Sequence, residues 1–260
     1  MTDEQYDDVA GTYEWLFDDD LLSGEPFLTP YAHVLERLTP GSRVLDCACG
    51  IGVEAIALAR RGFDVTGTDI SPGMIEQARR RGRDAGVDVR WQVCAWEDLP
   101  QHLDGGYDLV ICKGNSLVHA EGPQGTIAAL RAMWQMLRPG GEIVVGTRNF
   151  EHLRTARPHI EVWPVRVHRD GIACITTYVW QIPDAWDQPH IADLVFVFDD
   201  GAKITHRVSR ISFVPFRSEE LTAWLRVAGF DDLHSDRTDE HPRYTVTARR
   251  VDASADDPDR

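Results

Sequence analysis

The chain predicts an α/β fold, a doubly wound and mostly parallel sheet with an appended antiparallel β lid. From Arg43 to about Arg148, short β-branched runs alternate with amphipathic stretches, the rhythm of parallel strands covered by helices on both faces. Beyond Phe150 the segments lengthen, become β-rich and are separated by Asp-Gly turns, as in antiparallel hairpins. The 260 residues, 43% of them hydrophobic, suffice for one core plus an appendage.

Residues 1–40 read as an N-terminal helical lip. No Lys or Arg precedes Arg37, while Asp3, Glu4, Asp7, Asp8, Glu14, Asp18, Asp19 and Asp20 crowd its first turns. Such a face is either solubilising or selective for cationic and neutral ligands. Residues 41–150 form the expected core. RVLDCA is its first strand, VEAIALARRG a helix stopped at Gly62, and FDVTGTD the second strand. SPGMIEQARRRG follows as a helix with Ser71 as N-cap and Pro72 in its first turn. VDVRWQVCA, YDLVICK and GEIVVGTRN supply three more strands, and TIAALRAMWQMLRPGG a helix with its stop signal. Residues 151–217 are the lid and substrate region: GIACITTYVWQI, HIADLVFVFDD and AKITHRVSRISFVPF, with turns at Asp170-Gly171 and Asp200-Gly201. Residues 218–250 return to the core through the helix of SEELTAWLRVAGF, with Ser218 as N-cap and Gly229 as stop, and the strand YTVTARR. The polar tail 251–260 is expected to be disordered.

A net charge of −15 argues against a phosphate backbone as substrate, so no nucleic-acid partner is expected. No apolar run approaches the roughly 18 residues of a membrane span, and the acidic start is unlike a basic targeting peptide. A cytoplasmic protein without a membrane partner is expected, with monomer and homo-oligomer both open. Cys47, Cys49, Cys94, Cys112 and Cys174 are scattered through apolar segments, which predicts free thiols and no metal.

The strongest motif runs from Val44 to Gly52: a strand passes through Asp46, Cys47, Ala48 and Cys49 into Gly50-Ile51-Gly52 at a helix start. Glycines there let a ligand lie against the backbone. Asp69 ends the second strand, where a carboxylate can accept both hydroxyl protons of a ribose. Gly50-x-Gly52-x-x-Ala55 also satisfies the loose dinucleotide pattern of an NAD-dependent oxidoreductase. Asp46 would repel a pyrophosphate but suits a cationic sulfonium.

These segments resemble the class I S-adenosylmethionine-dependent methyltransferases, whose fold is Rossmann-like. DCACGIG resembles their glycine signature with Ala48 replacing the first glycine, VTGTDIS the second motif and CAWEDLP the third. YDLVICKGNSLVHA and LRPGGEIVVGTRN resemble the motifs of the fourth and fifth strands. The resemblance implies S-adenosyl-L-methionine as cofactor and S-adenosyl-L-homocysteine as product. It implies that Gly50 and Gly52 line the methionine part, Asp69 holds the ribose, Ile70 flanks the adenine, and Ala95 and Trp96 meet its edge; Trp96 also reads as a core residue. Asp46, Ala48 and Cys112 complete the expected cofactor set.

GNSLVHA and TRNFEHL are similar to segments of the glycine and sarcosine N-methyltransferase branch, which implies transfer to a small-molecule nitrogen. Asn115 is then the expected holder of the acceptor, with a loop cap as its plainer role. His119 is the expected proton acceptor, or else a structural histidine. Tyr13 completes the expected catalytic set, in an aromatic wall with Tyr6 and Trp15 or in a helix packed on the core. An arginine expected on the helix before the RPGG turn is replaced by Ile127, and none stands near the start. Free glycine is therefore disfavoured, and Trp163, Trp180 and Trp186 in the lid suggest a planar nitrogen heterocycle. A secondary-metabolite O-methyltransferase, glycine or sarcosine N-methylation proper, and a silent cofactor binder stay open.

Overall fold

A computed structural model of the chain describes residues 4–251; most of the tail expected to be disordered lies outside the described residues. Two sheets are present among the described residues. The first comprises β1 (Arg43–Cys47), β2 (Asp64–Asp69), β3 (Val89–Val93), β4 (Tyr107–Cys112), β5 (Leu137–Arg148), β10 (Phe230–Ser235) and β11 (Arg243–Arg250). Their order is β10-β11-β5-β4-β1-β2-β3. β1 to β5 are parallel; β11 runs antiparallel to β5, and β10 antiparallel to β11. The strand order reverses between β1 and β4, which opens a crevice at their carboxyl ends.

Alternation along the strands packs both faces. Val44, Leu109, Ile111 and Val144 meet Tyr31, Val34, Ala57 and Leu58 on one side. Leu45, Val110, Ile143 and Val145 meet Leu130, Met133 and Trp96 on the other. The helix Pro72–Ala85 starts as expected, with the Ser71 hydroxyl accepting from the Met74 N–H at 3.0 Å. Trp91 on β3 fills a socket of three glycines. A Cβ would stand 2.5 Å from its ring at Gly52 and at Gly67, and 3.3 Å from it at Gly82.

The lid is a four-stranded antiparallel sheet, β6 (Ile160–Arg169), β7 (Ile172–Gln181), β8 (His190–Asp199) and β9 (Ile204–Phe213), where the sequence predicts three strands. Pro164 interrupts the pattern of β6, and its pairing with β7 is broken between Val162 and Arg166. Asp170 (φ 49°) and Gly171 (φ 77°) make the tight β6–β7 turn, which needs left-handed backbone at both positions. β10 is likewise unanticipated. The helix Ser218–Ala228 is capped one residue earlier than expected: Arg217 is the N-cap and donates its N–H to Glu220 at 2.7 Å. Gly229 ends it as expected.

Lip and lid are tied to the core and to each other. Asp7 accepts from the Ser71 hydroxyl and from the Gly73 N–H at 3.0 Å, docking the helix Glu4–Ala10 on the second βα junction. Trp163 Nε1 donates to the Leu16 carbonyl at 2.7 Å. Arg169 donates to the carbonyls of Glu14 and Phe17 at 2.9 and 2.6 Å.

Candidate active site

Glycine loop, lip and lid enclose a cavity of about 590 Å³ at the carboxyl ends of β1, β2, β4 and β5. The Ala48 and Cys49 N–H groups donate to the Thr68 carbonyl at 2.7 and 2.9 Å, which turns the loop over β2. Ala48 sits at φ 96°, a left-handed conformation where glycine is at ease. Asp69 accepts from the Gly50 N–H at 2.8 Å through Oδ2 and from the Ser71 N–H at 3.0 Å through Oδ1. Burial raises its pKa, and those N–H bonds oppose the rise. A Cβ at Gly50 would meet only Tyr13, at 3.8 Å, so the loop leaves ligand-sized room above it.

Ala48, Gly50, Asp69, Ile70, Ala95 and Trp96 line the cavity, as does Asp46. Trp96 is both wall and core: it is 5% exposed, and its Nε1 donates to the Cys47 carbonyl at 3.3 Å. Burial, with Glu54 and Asp69 nearby, pushes the Asp46 carboxyl well up. Gly52 and Cys112 do not line the cavity. Gly52 faces Trp91, because the backbone turns between it and Gly50, and Cys112 is wholly buried on the face of β4 that packs into the core.

At the other end stand Asn115, His119 and Tyr13 with Tyr6, Trp163 and Tyr178. Asn115 (φ 70°) accepts through Oδ1 from the Thr147 hydroxyl and the Arg148 N–H, both at 3.1 Å. The amide nitrogen is thus the part left for a ligand. His119 lies 2.7 Å from the Tyr6 hydroxyl, and burial lowers its pKa to about 4. Burial pushes up the phenols of Tyr6, Tyr13 and Tyr178, which stay protonated donors. Trp180 is packed in the lid core, Trp186 lies between Arg154 and Arg217, and Trp15 packs on Phe198; none of the three lines the cavity, and neither does Ile127.

Sequence reasoning missed the cations. Arg148 and Arg243 both line the cavity and face each other as direct partners across β5 and β11. The Arg148 guanidinium is paired with Glu161 at 3.0 Å. Arg243 lies 5.4 Å from the Trp163 ring centre, and among the described residues no carboxylate stands within ion-pair reach of it. Enclosure, ahead of the neighbouring Arg148, lowers its pKa. The two positions where the resemblance places an arginine are without one, as the sequence shows, and the cations of the cavity come from strands instead, one of them ninety-five positions further along the chain than the other. Lys113 and Glu54, 3.0 Å apart beside Asp46, were also missed.

His119 and His190, the latter also lowered to about 4 by burial, set an acid limit on stability. Both are neutral in the fold, whereas the unfolded chain takes up these protons below a pH of about 6.5. Their contribution is full above that pH and is lost as the pH falls towards 4, at about 1.4 kcal/mol per pH unit for each. Urea unfolding at pH 7 and 5 should show the loss, and His119→Gln should remove its share. An unchanged slope in that variant would mean His119 is not held neutral.

Residues 44–141 match the family model described as "Methyltransferase domain". Human glycine N-methyltransferase is 38% identical over 125 residues, 43% of this chain and 42% of that protein. Ubiquinone biosynthesis O-methyltransferase of Xanthomonas axonopodis pv. citri (strain 306) is 37% identical over 118 residues, 45% and 48% of the two chains. The chain thus spans less than half the length of these curated relatives. The solved amino pentose methyltransferase from Micromonospora echinaspora, with S-adenosylmethionine bound, superimposes with a TM-score of 0.69 at 19% identity, covering 88% of this chain and 92% of that one. At such identity it shows the fold. The open space above Gly50 and the unspent lone pairs of Asp69 fit that cofactor's backbone-hugging chain and its ribose hydroxyls. Residues 44–141 are accordingly a methyltransferase domain, and the chain is similar to class I S-adenosylmethionine-dependent methyltransferases.

Proposed function

We propose that the protein methylates a nitrogen of a small molecule held between the glycine loop and the lid. The observation that carries this reading is an enclosed acceptor end with protonated phenols, an amide and arginines, where the nearby histidine is a weak base. A hydroxyl acceptor needs its proton removed as it reacts; the neutral form of an amine already carries a free lone pair, needs no base in the transfer itself and sheds a proton afterwards. The cofactor, when bound, supplies a methyl group on a cationic sulfur. The chain's residues do the rest: Asp69 and the glycine loop fix the donor, Asn115 orients the acceptor through its amide nitrogen, and the lip and lid exclude water. A cytoplasmic site of action accords with five buried free thiols.

The arginines narrow the acceptor. Like charges directly opposite across a sheet are unfavourable, and Glu161 answers only Arg148. An anionic group on the acceptor supplies the counter-charge for Arg243. A planar nitrogen heterocycle is the second reading, favoured by the rings of Tyr13, Trp163 and Tyr178 around the cavity.

Labelled methyl transfer to matched acceptors tests both: amines with and without a carboxylate, purine- and pterin-like rings, and catechols. The expected result is turnover of a carboxylate-bearing amine, with Arg243→Gln raising its KM at least tenfold, the usual worth of a charge-assisted bond. Methylation of catechols alone would overturn the nitrogen reading. Equal turnover with and without the carboxylate would overturn the role of Arg243.

A further inference from the structure

We infer that Lys113 holds the carboxylate at the amino-acid end of the cofactor, while Asp46 and Glu54 face the ammonium beside it. This rests on the cofactor reading above and assigns a residue to that same site.

The bound ligand ends in a zwitterion, and the glycine-loop end of the cavity is crowded with acid: Asp46, Glu54 and Asp69 all line it. A carboxylate entering there needs a cation. Among the described residues lining the cavity, the lysine and arginine side chains are Lys113, Arg148 and Arg243. The two arginines stand against the lid rings, Arg148 over Trp180 and Arg243 over Trp163. Lys113 alone of the three is among the acids, 3.0 Å from Glu54 Oε1, and its charge stabilises the ionised form of Asp46. The lip, which has no basic residue before Arg37, contributes a carbonyl here instead of a cation: Lys113 Nζ donates to the Phe27 oxygen at 2.6 Å.

Lys113 is also set in place in advance. Its stem crosses Gly146 on β5 so closely that a Cβ there would lie 2.9 Å from both Cγ and Cε. Its ammonium stands 4.7 Å from the centre of the Tyr31 ring, and the Tyr31 hydroxyl donates to Glu54 Oε1 at 3.1 Å. An ammonium has three donors. Glu54 and Phe27 take two of them, and the third is left for the cavity. Glu54 in turn is a fixed acceptor for the ligand ammonium, so one ion pair reads both charges of the amino-acid end.

The test is calorimetry with S-adenosylhomocysteine and its decarboxylated analogue, which keeps the ammonium and lacks the carboxylate. Wild-type protein should bind S-adenosylhomocysteine at least tenfold more tightly than the analogue. Lys113→Met should abolish that preference while changing affinity for the analogue less than threefold. Since losing the lysine strands Glu54 in a largely buried place, the same pair of ligands is measured on Lys113→Met/Glu54→Gln, which leaves no unpaired charge. Lys113→Arg should retain part of the preference. A wild-type preference below threefold, a preference that survives Lys113→Met, or equal weakening of both ligands would each overturn the inference. If wild-type protein binds neither ligand, it is the cofactor reading that fails.

Discussion

Replacing Asp69 by alanine should weaken S-adenosylhomocysteine binding by about 1.5–3 kcal/mol, a roughly ten- to hundredfold rise in Kd. The carboxylate does two jobs. Its oxygens fix the Gly50 and Ser71 N–H groups, which shapes the loop, and in the proposed reading their remaining lone pairs accept from the ribose hydroxyls. Asp69→Asn keeps one acceptor oxygen and should fall between wild type and Asp69→Ala. Calorimetry on folded variants decides: unchanged affinity in Asp69→Ala would remove Asp69 from the site.

Two glycines two positions apart should fail in opposite ways. Gly52→Ala drives a Cβ to 2.5 Å from Trp91 Cη2 at a φ of 79°. Overpacking and left-handed strain together should cost about 2–4 kcal/mol of stability. Gly50→Ala has room for its methyl, so its stability loss should stay near 1 kcal/mol from backbone strain alone. That methyl occupies the cradle, and ligand affinity should drop at least tenfold. Denaturant unfolding and calorimetry on both variants separate the two roles. Equal destabilisation would mean that the Trp91 socket is not rigid.

This contrast also shows where sequence stops being informative. The alternation of strands and helices from Arg43 to Arg148 is a local pattern, and the parallel sheet follows from it. β10 was hidden because FDDLHS is acidic, an edge segment with a break in pairing between Asp231 and His234 and with Asp232 at φ 54°. β6 was hidden by Pro164. Gly50 and Gly52 look alike in a motif, and which one lines the cavity depends on Trp91, supplied by a strand about forty positions away. Arg148 stood in plain view within TRNFEHL, but its weight comes from lying opposite Arg243, a pairing fixed by the fold rather than by spacing. The same holds for Lys113, which crosses Gly146 to reach Phe27 in the lip.

The anchoring of the lip by Trp163 and Arg169 has a consequence for how the molecule is made. The carbonyl of Phe17 and the guanidinium of Arg169 that holds it are separated by 152 positions. On a translating ribosome, which adds about 5–20 residues per second, the lip therefore waits on the order of ten seconds for its partner. Throughout that interval Tyr6, Tyr13 and Phe17 have no lid to pack against. Contacts so distant in sequence carry a large loop-closure cost and form late. The parallel strands β1 to β5 are complete before the lid is made and can assemble first, so the enclosure of the pocket matures after them.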